Sequence, residues 1–313
     1  MRYTILKTLA LMMCLAWALV SVNGCTESED VVHVDMEKRE EAVFRTPEDE
    51  ITYAYLPQYS HRVSYKRHHK MVDYLKNATG LNIRQIFPDT FQEHMNLIGR
   101  GQADINFTNP FVYAQIAEQY GAKAFARVVE EHGRDFRGQI IVRADDQRIE
   151  TLDDVRGKSW IAVDPASAGG YLFGLGHFLK NGIKPKDFSQ IAFAPGPGGK
   201  QEKVVLAVHA GQYDVGSIRE GTLDIIKDKV DLDQIRVLAE TDWYPGWVFS
   251  ARKNLDDREI EKIKKAMTDL SWDDPAERSI LELAQIKNVV PATDSDFDPI
   301  RKLMRKIDAE LER

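Results

Sequence analysis

Cysteine is nearly missing from this chain: there are two in 313 residues, Cys14 and Cys25. Cys14 lies inside an apolar N-terminal run, so a chain trimmed behind that run keeps Cys25 alone, at its start. That excludes a disulfide framework and any cysteine cluster for metal or redox chemistry. Enzyme signatures are missing too, with no Gly-x-Ser-x-Gly elbow and no Walker loop. Gly196-Pro197-Gly198-Gly199-Lys200 is glycine-rich but lacks the loop length and the following Ser or Thr. Carboxylates are plentiful, and none stands in a distinctive pairing. His61, His68 and His69 fall in a basic stretch with Arg62, Lys66 and Arg67. No Asp, Glu or His spacing converges on them, so the stretch reads as a solvated helix face rather than a metal site. Neither a catalytic group, a metal nor a cofactor is expected.

Long apolar runs are equally scarce. The most pronounced, Thr8–Val22, is shorter than the ~20 residues a membrane-spanning helix needs. Arg2 and Lys7 precede it, and the small residues of Val20-Ser21-Val22-Asn23-Gly24-Cys25 close it. A basic start, a short apolar core and a small-residue end describe an export signal. The Gly24-Cys25 pair resembles a bacterial lipobox, which implies a signal peptide over 1–24 and a lipidated Cys25 anchoring the chain in the cell envelope. An ordinary signal with a chance cysteine, or an uncleaved anchor, are the alternatives. Residues 25–50 are acidic with little apolar period and read as a tether, spanning roughly 27 Å as a flexible coil.

Positive charge is in deficit. With Arg2 and Lys7 removed, 40 basic residues face 49 acidic ones, a net charge of −9. Nucleic acid and anionic membrane surfaces are thereby disfavoured as partners. A small anion would have to be drawn in by local features.

What the chain does have is alternation of strands and helices. Ile51–Tyr55, Leu81–Phe87 and Ala103–Phe107 read as strands. Helices are expected over Tyr65–Ala78, after Thr90 with Glu93 in a capping box, and after Asn109 with Pro110 at the first position and Gly121 at the end. A second series follows: strands at 138–143, 160–163, 191–194, 214–218 and 235–239, with helices starting near 151, 169, 201 and 221. Trp247–Ala251 reads as a strand returning to the first series, and helices are expected over 257–270, 275–285 and 294–312. This is an α/β pattern with largely parallel sheets. Crossings near 138–143 and 245–251 divide it into lobe 1 (51–140 and 246–313) and lobe 2 (141–245), with a cleft between.

The turn Asp164-Pro165-Ala166-Ser167-Ala168-Gly169-Gly170 carries the functional expectation. It joins a strand to a helix, Ser167 is placed to cap that helix, and the glycines let a bound group approach the backbone. The first N–H groups of a helix have no internal partner and lie at the positive end of its dipole, so a small oxyanion satisfies them. Ser167, Ala168, Gly169 and Gly170 are the leading site residues. Thr108 and Asn109 stand at a similar turn, with Asn109 the cap and Thr108 the contact. Tyr55 is favoured among Tyr55, Tyr59 and Tyr65 because it ends the first strand. Arg219, directly after a strand, is preferred over Lys200 as a basic partner. Trp243-Tyr244-Pro245-Gly246-Trp247 reads as packing around a hinge, with lining of the cleft as the other reading.

Over most of residues 51–290 the chain resembles the PhnD-type phosphonate, phosphite and phosphate binding proteins of bacterial ABC transporters. Asp164-Pro165-Ala166-Ser167-Ala168-Gly169-Gly170-Tyr171-Leu172 is similar to the family's Asp-Pro-x-Ser-Thr-Ser-Gly-Tyr-Leu. Gly101-Gln102-Ala103-Asp104 and Gly211-x-x-Asp214-x-Gly216 support it. The resemblance implies a two-lobed type II periplasmic binding protein fold, a phosphorus oxyanion as ligand and an ABC permease as partner. It places a family tyrosine at Thr108 and a His-acid pair at Gln201-Glu202, and it keeps Asp214. Two family hydroxyls become Ala168 and Gly169. Glu202 and Asp214, if both faced the cleft, would suit a ligand with an ammonium group. Residues 215–222 look more like sensor-associated relatives, so a module serving a membrane histidine kinase or chemoreceptor is the alternative function; a periplasmic enzyme is a weaker one.

Overall fold

The computed structural model describes residues 50–312, and the expected signal peptide, tether and Cys25 lie outside them, apart from Glu50. Glu50 is not tether: it opens the first strand, β1 (Glu50–Tyr55), paired with Asn82 and bonded to Arg84. The described residues form one compact unit.

That unit is built on two sheets. The first takes the order β13-β4-β12-β3-β1-β2, with β2 at Asn82–Ile86, β3 at Ile105–Thr108, β4 at Lys123–Val129, β12 at Val248–Ala251 and β13 at Asn288–Pro291. The second runs β10-β6-β9-β7-β8, with β6 at Gly138–Arg143, β7 at Ser159–Ala162, β8 at Gln190–Phe193, β9 at Val215–Arg219 and β10 at Ile235–Glu240. A two-stranded ribbon, β5 (Asp135–Phe136) against β11 (Tyr244–Pro245), joins the two crossings.

The architecture is α/β, and the sheets are mixed rather than mostly parallel. β1 pairs in parallel with β2 and β3, and β7 with β8 and β9. β12 runs antiparallel to β3 and β4, and β6 antiparallel to β9 and β10. β6 and β12 carry the chain from one sheet to the other, and each therefore enters its sheet against the local strand direction.

Burial explains the strand sequences. Ile51 to Tyr55 are all buried, as are the four residues of β3, because helices cover both faces. Helix α1 (His61–Thr79) is capped by Ser60 and closed by Gly80 in the left-handed region, and α2 (Phe91–Gly99) is capped by Thr90. Helix α3 (Pro110–Tyr120) follows Asn109. On the second sheet, α4 (Phe173–Lys180) continues a π turn over Ala168–Leu172, and α5 (Lys200–His209) and α6 (Thr222–Ile226) follow β8 and β9. Helices α7 (Asp257–Thr268), α8 (Pro275–Ala284) and α9 (Asp298–Leu311) end the chain.

Residues 246–313, expected with the first lobe, divide in their packing. Ile260, Ile263 and Leu281 join the first core, whereas Ile300, Leu303 and Ile307 of α9 pack with Trp160, Phe173 and Phe178 of the second. The apolar stripe of α9 finds its partner on α4, where Gly176 leaves room for Leu303. The basic stretch on α1 divides likewise. His68 is buried, hydrogen-bonded to Tyr53 Oη at 2.8 Å and packed against Tyr55 and Phe107, so it belongs to the core and not to a solvated face.

A matched pair of acids fixes the strand starts. Asp104, just before β3, accepts from the N–H and hydroxyl of Thr52 on β1, both at 2.7 Å. Asp214, just before β9, accepts from the N–H (2.9 Å) and hydroxyl (2.7 Å) of Ser159 on β7. The two Gly-x-x-Asp segments therefore perform the same task in the two sheets: each ties the amino end of one parallel strand to its neighbour.

Candidate functional site

The carboxyl ends of β1, β3, β7 and β9, and the turns behind β7 and β8, converge between the lobes, where ligands bind in open α/β sheets. A tight pocket there is lined by Asn109, Ser167, Ala168, Gly169, Gln201 and Arg219, with Gln58, Phe91, Phe136 and Trp247 around them. Its free space is about 10 Å³, roughly room for one water. Through Gln58, Phe136, Arg219 and Trp247 it adjoins a cavity of about 530 Å³ that also meets Tyr55, Arg67 and Glu130.

Three contacts hold the lobes together over this pocket. Asn109 Nδ2 donates to Ala166 O across the cleft at 3.1 Å. Arg219 Nη2 donates to both oxygens of Glu130, at 2.9 and 2.7 Å. The Arg219 guanidinium also lies 5.4 Å from the Phe136 ring centre and 5.8 Å from that of Trp247. Burial alone would pull its pKa down; the Glu130 carboxylate outweighs this and holds it above the usual arginine value. Seating anything larger than water requires these contacts to part and re-form around it.

The turn after β7, the expected anion site, is closely packed. Ser167 is 3 % exposed, and its Oγ accepts from Gly170 N–H at 3.2 Å. Gly170 O accepts from Val163 N–H and from Ser217 Oγ, which in turn accepts from Trp160 Nε1 at 3.0 Å. A Cβ at Gly170 would lie 2.3 Å from Val163 Cγ2, and one at Gly169 2.8 Å from Arg219 Cβ. Only glycine lets this backbone pass so close to its neighbours. The N–H groups of Ala168 and Gly169 are left at the start of a helical segment running to Lys180, without a capping partner among the described residues.

The other expected residues fall into two groups. Asn109 lines the pocket and caps α3 with its Oδ1, which accepts from Phe111 and Val112 N–H at 2.9 Å each. Thr108, expected as the contact at this turn, is fully buried behind it with no hydrogen-bond partner for its hydroxyl. Tyr55 borders the larger cavity; its hydroxyl accepts from Gln58 Nε2 at 2.9 Å, and burial raises its pKa. Gln201 lines the pocket, but Glu202 beside it turns away and pairs with Lys229. Successive helical residues point ~100° apart, so only one of the two faces inward. Asp214 is also elsewhere. It stands at the amino end of β9, roughly 15 Å along the strand from Arg219, pairs with Arg148 at 2.9 Å, and has a pKa held down by its hydrogen bonds to Ser159 despite partial burial. The expected ammonium site formed by Glu202 and Asp214 therefore does not assemble.

The two candidate basic partners are themselves paired. Arg219 takes Glu130, and Lys200 takes Asp164 at 2.5 Å, 6.0 Å from the Phe91 ring centre. Gln58, Phe91, Glu130 and Phe136 were missed. Glu130 and Phe136 lie on the first crossing, between β4 and β6, a segment whose strands the sequence pattern does not resolve. Trp247, read as hinge packing, lines both cavities, and its indole N–H is buried without a partner.

Among the described residues no group of His, Cys, Asp and Glu could hold a metal ion, and no helix is long and apolar enough to cross a membrane. Two α/β lobes with crossing strands, closing helix starts over a small interlobe pocket, define a solute-binding protein. The chain belongs to the family described as "ABC transporter, phosphonate, periplasmic substrate-binding protein", whose profile matches residues 53–297. That is a family of transport proteins, not of enzymes. The chain is 26 % identical over 249 residues to the phosphate-import protein PhnD of Mycolicibacterium smegmatis, a match covering 74 % of this chain and 77 % of that protein. It is 24 % identical to the tetrathionate sensor histidine kinase TtrS of Salmonella typhimurium, over 63 % of this chain and 36 % of the kinase. The solved structure of PhnD1 from Prochlorococcus marinus with methylphosphonate shares the fold, with a TM-score of 0.74 at 14 % identity over 83 % of this chain and 98 % of that one.

Proposed function

We propose that this protein captures a small phosphorus oxyanion, a phosphonate, phosphite or phosphate, between its lobes and delivers it to an ABC permease. The observation that carries the reading is the pair of uncapped N–H groups at Ala168 and Gly169, opposed across the pocket by Asn109 and Trp247. Such N–H groups hold an oxyanion without a compensating net positive charge, which suits so acidic a chain. Enclosure between lobes removes water and strengthens each hydrogen bond. The PhnD relatives, a phosphate-import protein and a protein solved with methylphosphonate, support the ligand class. We further propose that Cys25 is lipidated and tethers the protein to a membrane through residues 26–49, on the strength of the Gly24-Cys25 junction.

The match to a sensor kinase favours a second reading, in which the closed form signals to a membrane kinase. Calorimetric titration with phosphate, phosphite and methylphosphonate tests ligand capture: saturable binding of at least one supports it, and no binding of any refutes it. Reconstitution with the permease, with ligand-stimulated ATP hydrolysis as readout, separates transport from sensing.

A further inference from the structure

We infer that Glu130 competes with the ligand for Arg219: its carboxylate ties the guanidinium, and with it the two lobes, until an oxyanion takes Arg219 over. The inference rests on the oxyanion reading and assigns it a basic side chain. The two groups belong to different sheets. Glu130 follows β4 and opens a tight turn, in which its N–H donates to Gly133 O at 2.8 Å and Gly133 N–H donates to Glu130 O at 3.1 Å. Glu131 beside it pairs with Lys287 at 2.9 Å, and Lys287 N–H donates to Val129 O at 2.7 Å. The turn is thereby pinned to the first sheet. Arg219 ends β9 of the second sheet, where Gly138 is its cross-strand partner and its N–H donates to Gln201 Oε1 at 3.0 Å. Their ion pair is a tie between lobes.

Neither group has a second partner of opposite charge among the described residues. Glu220, the neighbour of Arg219 in sequence, is taken by Arg137 at 2.9 Å. Both Glu130 oxygens rest on the single nitrogen Nη2. The two-nitrogen fork that a guanidinium offers an anion is therefore not used, and Nε and Nη1 engage no acceptor among the described residues. Arg219 lines the tight pocket and the larger cavity, whereas Glu130 borders the larger cavity alone. A Cβ built at Gly169 would lie 3.1 Å from Arg219 Cα, so the arginine starts beside the uncapped N–H groups. An oxyanion on those groups is within reach of its side chain, and the larger cavity has room for a displaced Glu130. Charge makes the exchange a competition. One guanidinium neutralises one anion, and a carboxylate and an oxyanion crowding it in a tight pocket repel each other. A phosphonate presents three oxygens and can fill the fork that Glu130 leaves unused. Apparent affinity is then reduced to the fraction of molecules in which Arg219 is free.

Glu130→Gln keeps the size of the side chain and removes its charge. Calorimetric titration of the full chain with methylphosphonate and with phosphate, wild type beside variant, reads the competition. The expected result is a ~tenfold or larger gain in affinity in the variant. Its unfolding midpoint without ligand should fall, because the Arg219 charge loses its partner. A tie with a structural role only gives the lower midpoint with affinity unchanged or reduced, and that result overturns the inference while the oxyanion reading stands. Small-angle X-ray scattering supplies a second measurement that needs no variant. Wild type without ligand should be as compact as wild type with methylphosphonate, and the variant without ligand should be more open. A wild type that stays open until methylphosphonate is added overturns the inference as well. If neither protein binds phosphate or methylphosphonate, the oxyanion reading falls with it.

Discussion

His68 and His94 make the fold sensitive to mild acid. Both are fully buried, and burial lowers each from 6.5 to about 3, with Arg67 adding to the effect at His68. His94 has neither ring nitrogen bonded in the structure. A folded-state pKa below the unfolded value means that protonation favours the unfolded chain. The contribution is thus complete above pH 6.5 and is lost as pH falls from 6.5 toward 3. Each histidine gives up about 1.4 kcal/mol per pH unit in that window. At pH 5 the two together cost about 4 kcal/mol, a large share of the 5–15 kcal/mol expected for a folded domain. Carboxylates with lowered pKa, such as Asp146 at about 2, act only below 3.8 and leave this window clear. Urea unfolding at pH 7.5, 6 and 5 measures the slope, and His94→Leu should roughly halve it. A stability that changes by less than about 1 kcal/mol between pH 7.5 and pH 5 would refute the reasoning.

Three substitutions test the local structure. Asp214→Asn loses the charge that holds Ser159 and Arg148 at the strand starts; it should cost about 1–3 kcal/mol in denaturant unfolding and leave ligand affinity unchanged. A large drop in affinity at preserved stability would return Asp214 to the binding site. Ser217→Ala strands the buried Trp160 N–H and should lower stability by about 1–3 kcal/mol, read by thermal or urea unfolding. Gly170→Ala drives a methyl into Val163; it should lower both stability and oxyanion affinity, whereas a variant as stable as wild type would show that the turn has room the distances deny.

Much of this organisation is legible in the residues. The alternation of apolar strands with capped helices gives nearly every element of 50–120 and 138–240, because Gly, Pro, Asn and Thr sit at the helix ends for steric and hydrogen-bonding reasons. The strands β4 and β13 escape notice. Both lie on the antiparallel side of the first sheet, and their partners are remote in sequence. The hinge ribbon is four residues whose identity as strands exists only in their pairing. The Ser167 cap and its turn are legible because the cap, glycines and flanking strand are contiguous. Glu130 and Arg219 meet from distant segments, which no local pattern announces. Asp214 misleads for a different reason: a retained acid suggests a ligand contact, although its place before β9 puts it at the end of the sheet away from the cleft. Glu202 misleads because adjacency in sequence is not adjacency in the pocket.

The most direct measurement is a crystal structure of the complex with methylphosphonate or phosphate. The account predicts oxyanion oxygens about 2.7–3.2 Å from the N–H groups of Ala168 and Gly169, with the lobes closed over them. An anion seated wholly in the larger cavity against Arg67, with the Ser167 turn untouched, would contradict it.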